Sequence, residues 1–211
     1  MKLSDGFDLS PTKIIGIGVN YRAHAVEMGK QLPAEPLMFL KPPSALVGHE
    51  GEIRRPSGYA QVHHEAELGV VIGRRAQRVS REQALEYVAG YVCVNDVTVR
   101  ELQAKDGQWT RAKGFDTFCP VGPRLVKGLD PSNLRIQARV NGETRQDSST
   151  ADLIFDVPAL IAFASAHMTL EPGDLISTGT PSGVGNMNVG DVVEIELEGI
   201  GVLRNRVVAR E

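Results

Sequence analysis

The 211-residue chain lacks most features that mark a special class. No apolar run approaches the ~20 residues needed to cross a bilayer as a helix. The opening stretch MKLSDGFDLSPTK has no apolar signal core, so the expected location is the cytoplasm. There are two cysteines, Cys93 and Cys119, which form no CxxC and no disulfide framework. Both are expected to be buried free thiols, and Cys119 precedes Pro120 in an apolar stretch with no adjacent base to activate it. Basic blocks are absent too. The 23 Lys and Arg are scattered against 26 Asp and Glu, for a net charge of -3, which excludes nucleic acid and anionic membrane as expected partners. Internal repeats and low-complexity linkers are missing as well. The length suits one large domain or two small ones.

What remains is an ordinary globular composition with many short apolar runs broken by Gly and Pro. KIIGIGVNY, LMFLKPPSALVG, YVCVNDVTV and DLISTGT read as strands, the second with a proline break. The C-terminus alternates Val193, Ile195 and Leu197 against Glu194, Glu196 and Glu198, then turns at Gly199 and Gly201 into VLRNRVV. Helices are expected in three places. RAHAVEMGK is short and stops at Gly29. SREQALEYVAG carries a capping-box pattern, Ser80 with Gln83. DVPALIAFASAHM has Asp156 as N-cap, Pro158 in the first turn, and Leu160, Ile161, Ala164 and His167 on one stripe. Strands dominate and helices do not alternate with them. The pattern therefore predicts a β-rich α+β fold rather than a doubly wound or barrel α/β fold.

Three acidic residues carry the chemistry. Residues 62 to 72, VHHEAELGVVI, read as one strand with Val62, His64, Ala66, Leu68, Val70 and Ile72 on an apolar face. Glu65 and Glu67 then project together from the other face. A solvated acidic face would account for this pair by itself. Asp96 argues otherwise, because it ends the apolar run YVCVND, where an unpaired carboxylate is costly to bury. Three convergent carboxylates suit a hard divalent cation with open positions for a ligand. His63 and His64 do not make a zinc site, since neighbours on a strand face opposite ways.

Other motifs fail or are ambiguous. Gly16-Ile17-Gly18 meets Tyr21 where a dinucleotide fingerprint needs glycine, and GTPSGVG lacks the lysine of a P-loop. That loop still offers backbone N–H groups to an oxyanion. His24 and Glu27, three apart, face each other on a helical turn, as a surface pair or as a base with its orienting carboxylate. Lys113, in RAKGFDTFCP, is an exposed loop lysine or a cation for a developing negative charge. If Asp96 opens a helix, Arg100 and Gln103 share its face.

Taken together and in order, these stretches resemble the fumarylacetoacetate hydrolase family in its short single-domain branch. That branch includes acylpyruvases, oxaloacetate decarboxylases and isomerase/decarboxylases of homoprotocatechuate breakdown. The matching segments run from GIGVNYRAHAVEMG through HHEAELGVVIG, YVCVNDVTVRELQ, AKGFDTFCPVGP and VNGETRQ to LEPGDLISTGTPSGVG and the C-terminal strands. The resemblance implies a mixed β-sandwich roll with a few peripheral helices, as one catalytic domain over 1–211 with a short leading segment of about 1–12. It implies Mg²⁺ or Mn²⁺ held by Glu65, Glu67 and Asp96. It gives Lys113 as the active-site lysine, His24 and Glu27 as a dyad on a lid, and Arg100, Gln103 and Thr180 as substrate contacts. The implied substrate is a small 2-oxo acid and the implied assembly a homodimer. The expected reaction is C–C hydrolysis of an acylpyruvate or decarboxylation of oxaloacetate, with isomerisation of ring-cleavage dienols as the alternative. A non-catalytic binding protein on the same fold is a remoter one. Two departures bear on substrate choice: Val19 stands where many acylpyruvase-like members have arginine, and the stretch from Gln103 to Lys113 is short.

Overall fold

The computed structural model describes residues 1–27, 29 and 31–210. In chain order the strands are β1 (Ile14–Gly18), β2 (Leu37–Lys41), β3 (Leu46–Val47), β4 (Glu52–Arg55), β5 (Val62–His64), β6 (Ala66–Ile72), β7 (Val88–Asn95) and β8 (Thr98–Val99). They continue as β9 (Cys119–Val126), β10 (Arg135–Val140), β11 (Glu143–Ser149), β12 (Leu175–Ser177), β13 (Gly185–Asn186), β14 (Val192–Leu197) and β15 (Gly201–Ala209). Among the described residues four α-helices accompany them: α1 (Arg22–Glu27), α2 (Arg100–Asp106), α3 (Thr110–Lys113) and α4 (Val157–His167). The result is the expected β-rich α+β fold. Among the described residues, no helix is long and apolar enough to cross a membrane.

Three sheets form. A mixed seven-stranded sheet runs β2-β1-β12-β6-β7-β9-β3, a five-stranded sheet runs β11-β10-β14-β15-β4, and a small one joins β13-β5-β8. The inner strands β1, β12, β6 and β7 of the large sheet are largely buried on both faces, which explains their continuous apolar runs. Leu68, Val70 and Ile72 of β6 face Ile136, Ala138, Val193, Ile195, Leu197 and Leu203 of the five-stranded sheet in one core. The opposite face, with Val71, Val92, Val94, Val121 and Leu175, is covered by Leu3 and Leu9 of the N-terminal segment. Cys93 and Cys119 are buried free thiols, one in each core.

Strand parity places the site. Residues 65, 67, 69 and 71 share the second face, and so do Val92, Val94 and, just beyond β7, Asp96. At one end this face is apolar under the N-terminal segment, and at the other it carries the carboxylates. Glycines make room at the polar end. A Cβ on Gly18 would lie 2.3 Å from the Trp109 ring, and one on Gly16 would lie 2.1 Å from Phe39.

Several sequence expectations need correction. Residues 80 to 90 do not form an α-helix. A turn leads to a four-residue 3₁₀ segment, Ala84–Tyr87. Val88 already pairs with Ile72, and Leu85 is exposed, so there is neither length nor an apolar face to sustain a helix. The 62–72 stretch is not one strand. It breaks at Glu65, whose N–H is taken by Asn95 Oδ1 at 2.9 Å, while Gln146 Oε1 takes the N–H of Ala66 at 3.0 Å. Asp96 does not open a helix either, since β8 intervenes and α2 begins at Arg100. In α4 the Asp156 cap forms, accepting from the Ala159 N–H at 3.0 Å, but His167 is exposed and bonds the Phe163 carbonyl instead of joining the buried stripe.

Candidate active site

Glu65, Glu67 and Asp96 converge, all buried, with ligand oxygens within 4.8 Å of one another. Each is held differently. Glu67 Oε2 accepts from Ser177 Oγ at 2.5 Å and from the Gly179 N–H at 2.8 Å, so β12 and the glycine loop after it grip one oxygen. Burial first, then repulsion from Asp96 and Glu65, pushes the Glu67 carboxyl well above the usual range. Glu65 goes the other way. Burial would raise it, but Lys113 Nζ at 2.8 Å and Arg100 Nη2 at 2.6 Å hold it well below the ordinary value. Asp96 pairs with Lys41 on Oδ1 and with Lys113 on Oδ2 at 2.6 Å. Three carboxylates thus meet three buried or nearly buried cations.

Lys113 is fully enclosed. Its ammonium also donates to Thr98 Oγ1 at 2.7 Å and lies over Phe39 and Trp109, 5.1 Å and 5.9 Å from the ring centroids. Burial would lower its pKa, yet Asp96 and Glu65 raise it, so the lysine is a permanent cation here. Short helices place it: α2 ends at Gly107 in the left-handed region (φ 69°), and α3 turns Lys113 inward.

The other residues singled out in the sequence gather at the same place. His24 is buried on α1, and its Nδ1 lies 2.9 Å from Glu27 Oε2. A carboxylate only accepts, so Nδ1 carries the hydrogen of this contact and Nε2 is the ring nitrogen that Glu27 leaves over. Glu27 Oε1 accepts from the Gly183 N–H at 3.2 Å. The glycine loop therefore uses its backbone N–H groups on the protein's own Glu67 and Glu27. Arg100 Nη1 donates to Gln103 Oε1 at 2.8 Å and Nε to His63 Nδ1 at 3.1 Å. His24, Glu65, Glu67, Arg100, Gln103, Lys113 and Thr180 line one small pocket. It adjoins a cleft of about 600 Å³ that shares His24, Arg100, Gln103 and Trp109 and adds Glu27, His63 and Glu101. Val19, which also lines the small pocket, has φ 52°. That is a strained backbone for a β-branched residue. The next residue, Asn20, anchors it with bonds to the Phe155 and Thr178 carbonyls and the Phe155 N–H.

Sequence reasoning missed four contributors. Lys41 ends β2 and is buried against Asp96 and the Phe118 carbonyl; a lysine inside the apolar run LMFLK was its one visible signal. Gln146 bonds Ala66 N–H, His64 Nδ1, Thr180 Oγ1 and the Pro181 carbonyl, tying the glycine loop to the glutamate strand. Tyr21 is buried with its hydroxyl unpartnered among the described residues, and burial and then Glu67 push its pKa up. Ser177 ends β12, as the strand pattern of DLISTGT expects, and also donates to Glu67.

The donor set fits a hard divalent cation: three carboxylates, oxygen only, two of them lining the small pocket and the third, Asp96, close behind them. A curled β-rich fold with an acidic trio that could hold a divalent cation beside a pocket fits a small-molecule enzyme. The comparisons with known proteins narrow it. The family described as "Fumarylacetoacetate (FAA) hydrolase C-terminal" matches residues 13–208, and the chain belongs to that family. It is 45% identical to the mitochondrial oxaloacetate tautomerase FAHD1 of Arabidopsis thaliana over 195 residues, covering 90% of this chain and 87% of that protein. It is 44% identical over 202 residues to the bifunctional isomerase/decarboxylase of 4-hydroxyphenylacetate degradation from Salmonella dublin, covering 94% of this chain and 47% of that one. The crystal structure of a 5-carboxymethyl-2-hydroxymuconate delta-isomerase from Mycobacterium smegmatis superposes with a TM-score of 0.90 at 50% identity, covering 95% and 80% of the two chains.

Proposed function

We propose that the protein is a Mg²⁺- or Mn²⁺-dependent enzyme that moves a proton next to the carbonyl of a small 2-oxo acid, a keto–enol tautomerase or isomerase. The carrying observation is the His24–Glu27 pair, in which a buried imidazole is held by an exposed carboxylate and lines the same small pocket as Glu65 and Glu67. Glu65, Glu67 and Asp96 would hold the cation, which when bound supplies Lewis-acid polarisation of the oxo group. His24 Nε2 takes the proton from the neighbouring carbon, and Glu27 fixes the ring and balances the imidazolium that forms. Lys113 adds a fixed positive charge where the oxygen gains electron density. Thr180 and Gln103, the latter held by Arg100, orient the carboxylate. Relatives named tautomerase and isomerase support this order of preference.

A second reading is hydrolysis of acylpyruvates or decarboxylation of oxaloacetate. It is favoured by the placement of His24 on the open cleft, where the same base can take a proton from water. One experiment separates the two. Ultraviolet absorbance would follow the enol of oxaloacetate and of acetylpyruvate, with EDTA or with Mg²⁺ or Mn²⁺, alongside a pyruvate assay. Metal-dependent loss of enol without pyruvate release is expected. Pyruvate release would select the second reading, and no metal-dependent change with either substrate would overturn both. His24→Ala should slow the reaction by about 10²–10⁴-fold with metal binding retained.

A further inference from the structure

The hydrogen-bond directions in the cleft can be read without ambiguity because Arg100 only donates. Its Nη2 is ion-paired with Glu65 Oε1 at 2.6 Å, while its Nε donates to His63 Nδ1 and its Nη1 to Gln103 Oε1. An imidazole nitrogen that accepts an N–H must be the bare one, so His63 is neutral with its hydrogen on Nε2. An amide that accepts through Oε1 turns its NH₂ outward. The guanidinium thus spends its charge on Glu65 and orients two neutral side chains as N–H donors on the wall of the cleft that both line. Of the rim carboxylates, Glu101 Oε1 accepts from the Ala60 and Gln61 N–H groups at 2.7 and 3.0 Å, and Glu27 is turned to His24 and the Gly183 N–H.

The same logic applies at the metal end. Ala66 N–H fixes Gln146 Oε1 as acceptor and the Pro181 carbonyl fixes its Nε2 as donor, so Thr180 Oγ1 accepts and its own hydrogen is free for the pocket. The pocket and the cleft therefore both present neutral donors. The cleft, at about 600 Å³, reaches well past the carboxylates and past what a four-carbon acid fills. It also carries apolar surface from Trp109, Ala104 and Val184.

We infer that His63 is a specificity-determining residue, a fixed Nε2–H donor that reads an oxygen at the far end of the substrate. The ligand class is then a 2-oxo acid with a short apolar middle and a distal carboxylate or carbonyl. This rests on the 2-oxo acid reading above and adds the residue that selects within it. His63 acts on the ligand itself, whereas Arg100 acts through His63 and Gln103 as their positioning residue.

The test compares two six-carbon ligands that differ only at the far end. 2-Oxoadipate ends in a carboxylate and 2-oxohexanoate in a methyl. Their affinities are measured by calorimetry on the full chain with Mg²⁺ present, for the wild type, His63→Leu and His63→Gln. The wild type should prefer 2-oxoadipate by on the order of tenfold or more, the size of one hydrogen bond to a charged group. His63→Leu should bring the ratio to about one, and His63→Gln, which keeps an N–H donor, should restore part of it. A ratio unchanged in His63→Leu, or a wild-type ratio near one, overturns the role of His63 and leaves the 2-oxo acid reading standing. Equal loss of both ligands in His63→Leu means a structural role and also overturns it. Failure of the wild type to bind either ligand overturns the 2-oxo acid reading and this inference with it.

Discussion

Two buried carboxylate centres flank β12, and they are built on opposite principles. Before the strand, Asp174 is saturated. Oδ1 accepts from Thr12 N–H, Thr12 Oγ1 and Lys13 N–H at 2.9, 2.7 and 3.1 Å, and Oδ2 accepts from Lys13 Nζ and the Glu171 N–H. Burial would raise its pKa, but these donors hold it below the ordinary carboxylate value. Past the strand's other end, Ser177 and Gly179 satisfy a single oxygen of Glu67, which faces Glu65 and Asp96. One centre fastens the N-terminal segment to the sheet, and the other presses three carboxylates together with Glu67 in no ion pair among the described residues. A carboxylate given all its donors supports the fold, whereas carboxylates pressed together oppose it and retain affinity for a cation.

Breaking the charged centre should have the largest effect. Glu67→Gln should abolish metal-dependent turnover, by on the order of a thousandfold or more. It should also remove the stabilisation that Mg²⁺ or Mn²⁺ gives the wild type, about 2.7 kcal/mol at a hundredfold excess over Kd. Without metal the variant should melt no lower than the wild type. Ionised Glu67 is repelled by its neighbours, so it works against folding at neutral pH and its loss removes that repulsion. Differential scanning calorimetry with and without metal checks both halves, and a clear drop in the metal-free Tm would contradict the comparison.

Lys41→Met should come next. It strips Asp96 of one of its two buried ammonium partners and should cost about 3 kcal/mol, read from denaturant unfolding. Asp174→Asn is the smallest, about 2 kcal/mol at neutral pH, because an amide cannot accept on both atoms. Its pH dependence sharpens the contrast. A depressed folded pKa gives stability that is full above the unfolded value of about 3.9 and is lost as pH falls through the folded value. The difference between wild type and Asp174→Asn should therefore shrink on acidification, and a constant difference would refute the assignment.

Much of this was legible along the chain. Alternation put Glu65 and Glu67 on one side, and the end of an apolar run marked Asp96, because parity is a local property of strands. The Asp156 cap was legible for the same reason, since a cap bonds three residues away. The capping-box pattern at Ser80 and Gln83 misled. The local signal was genuine, but the demand that Val88 pair with Ile72 outweighed it.

By itself, then, the sequence determined strands such as β1, β2, β7, β12, β14 and β15, the carboxylate trio and the family resemblance, all of which rest on neighbours a few residues apart. The tertiary structure decided that the acidic face is sealed rather than solvated. It also decided that Lys41 answers Asp96 across 55 positions, and that Gln146 turns the Thr180 hydroxyl toward the pocket. In the same way it made Arg100 the group that sets the polarity of the cleft, reaching back to His63 across 37 positions. Hydrogen-bond direction depends on which partners meet, and those partners come from strands that only the folded sheets bring together.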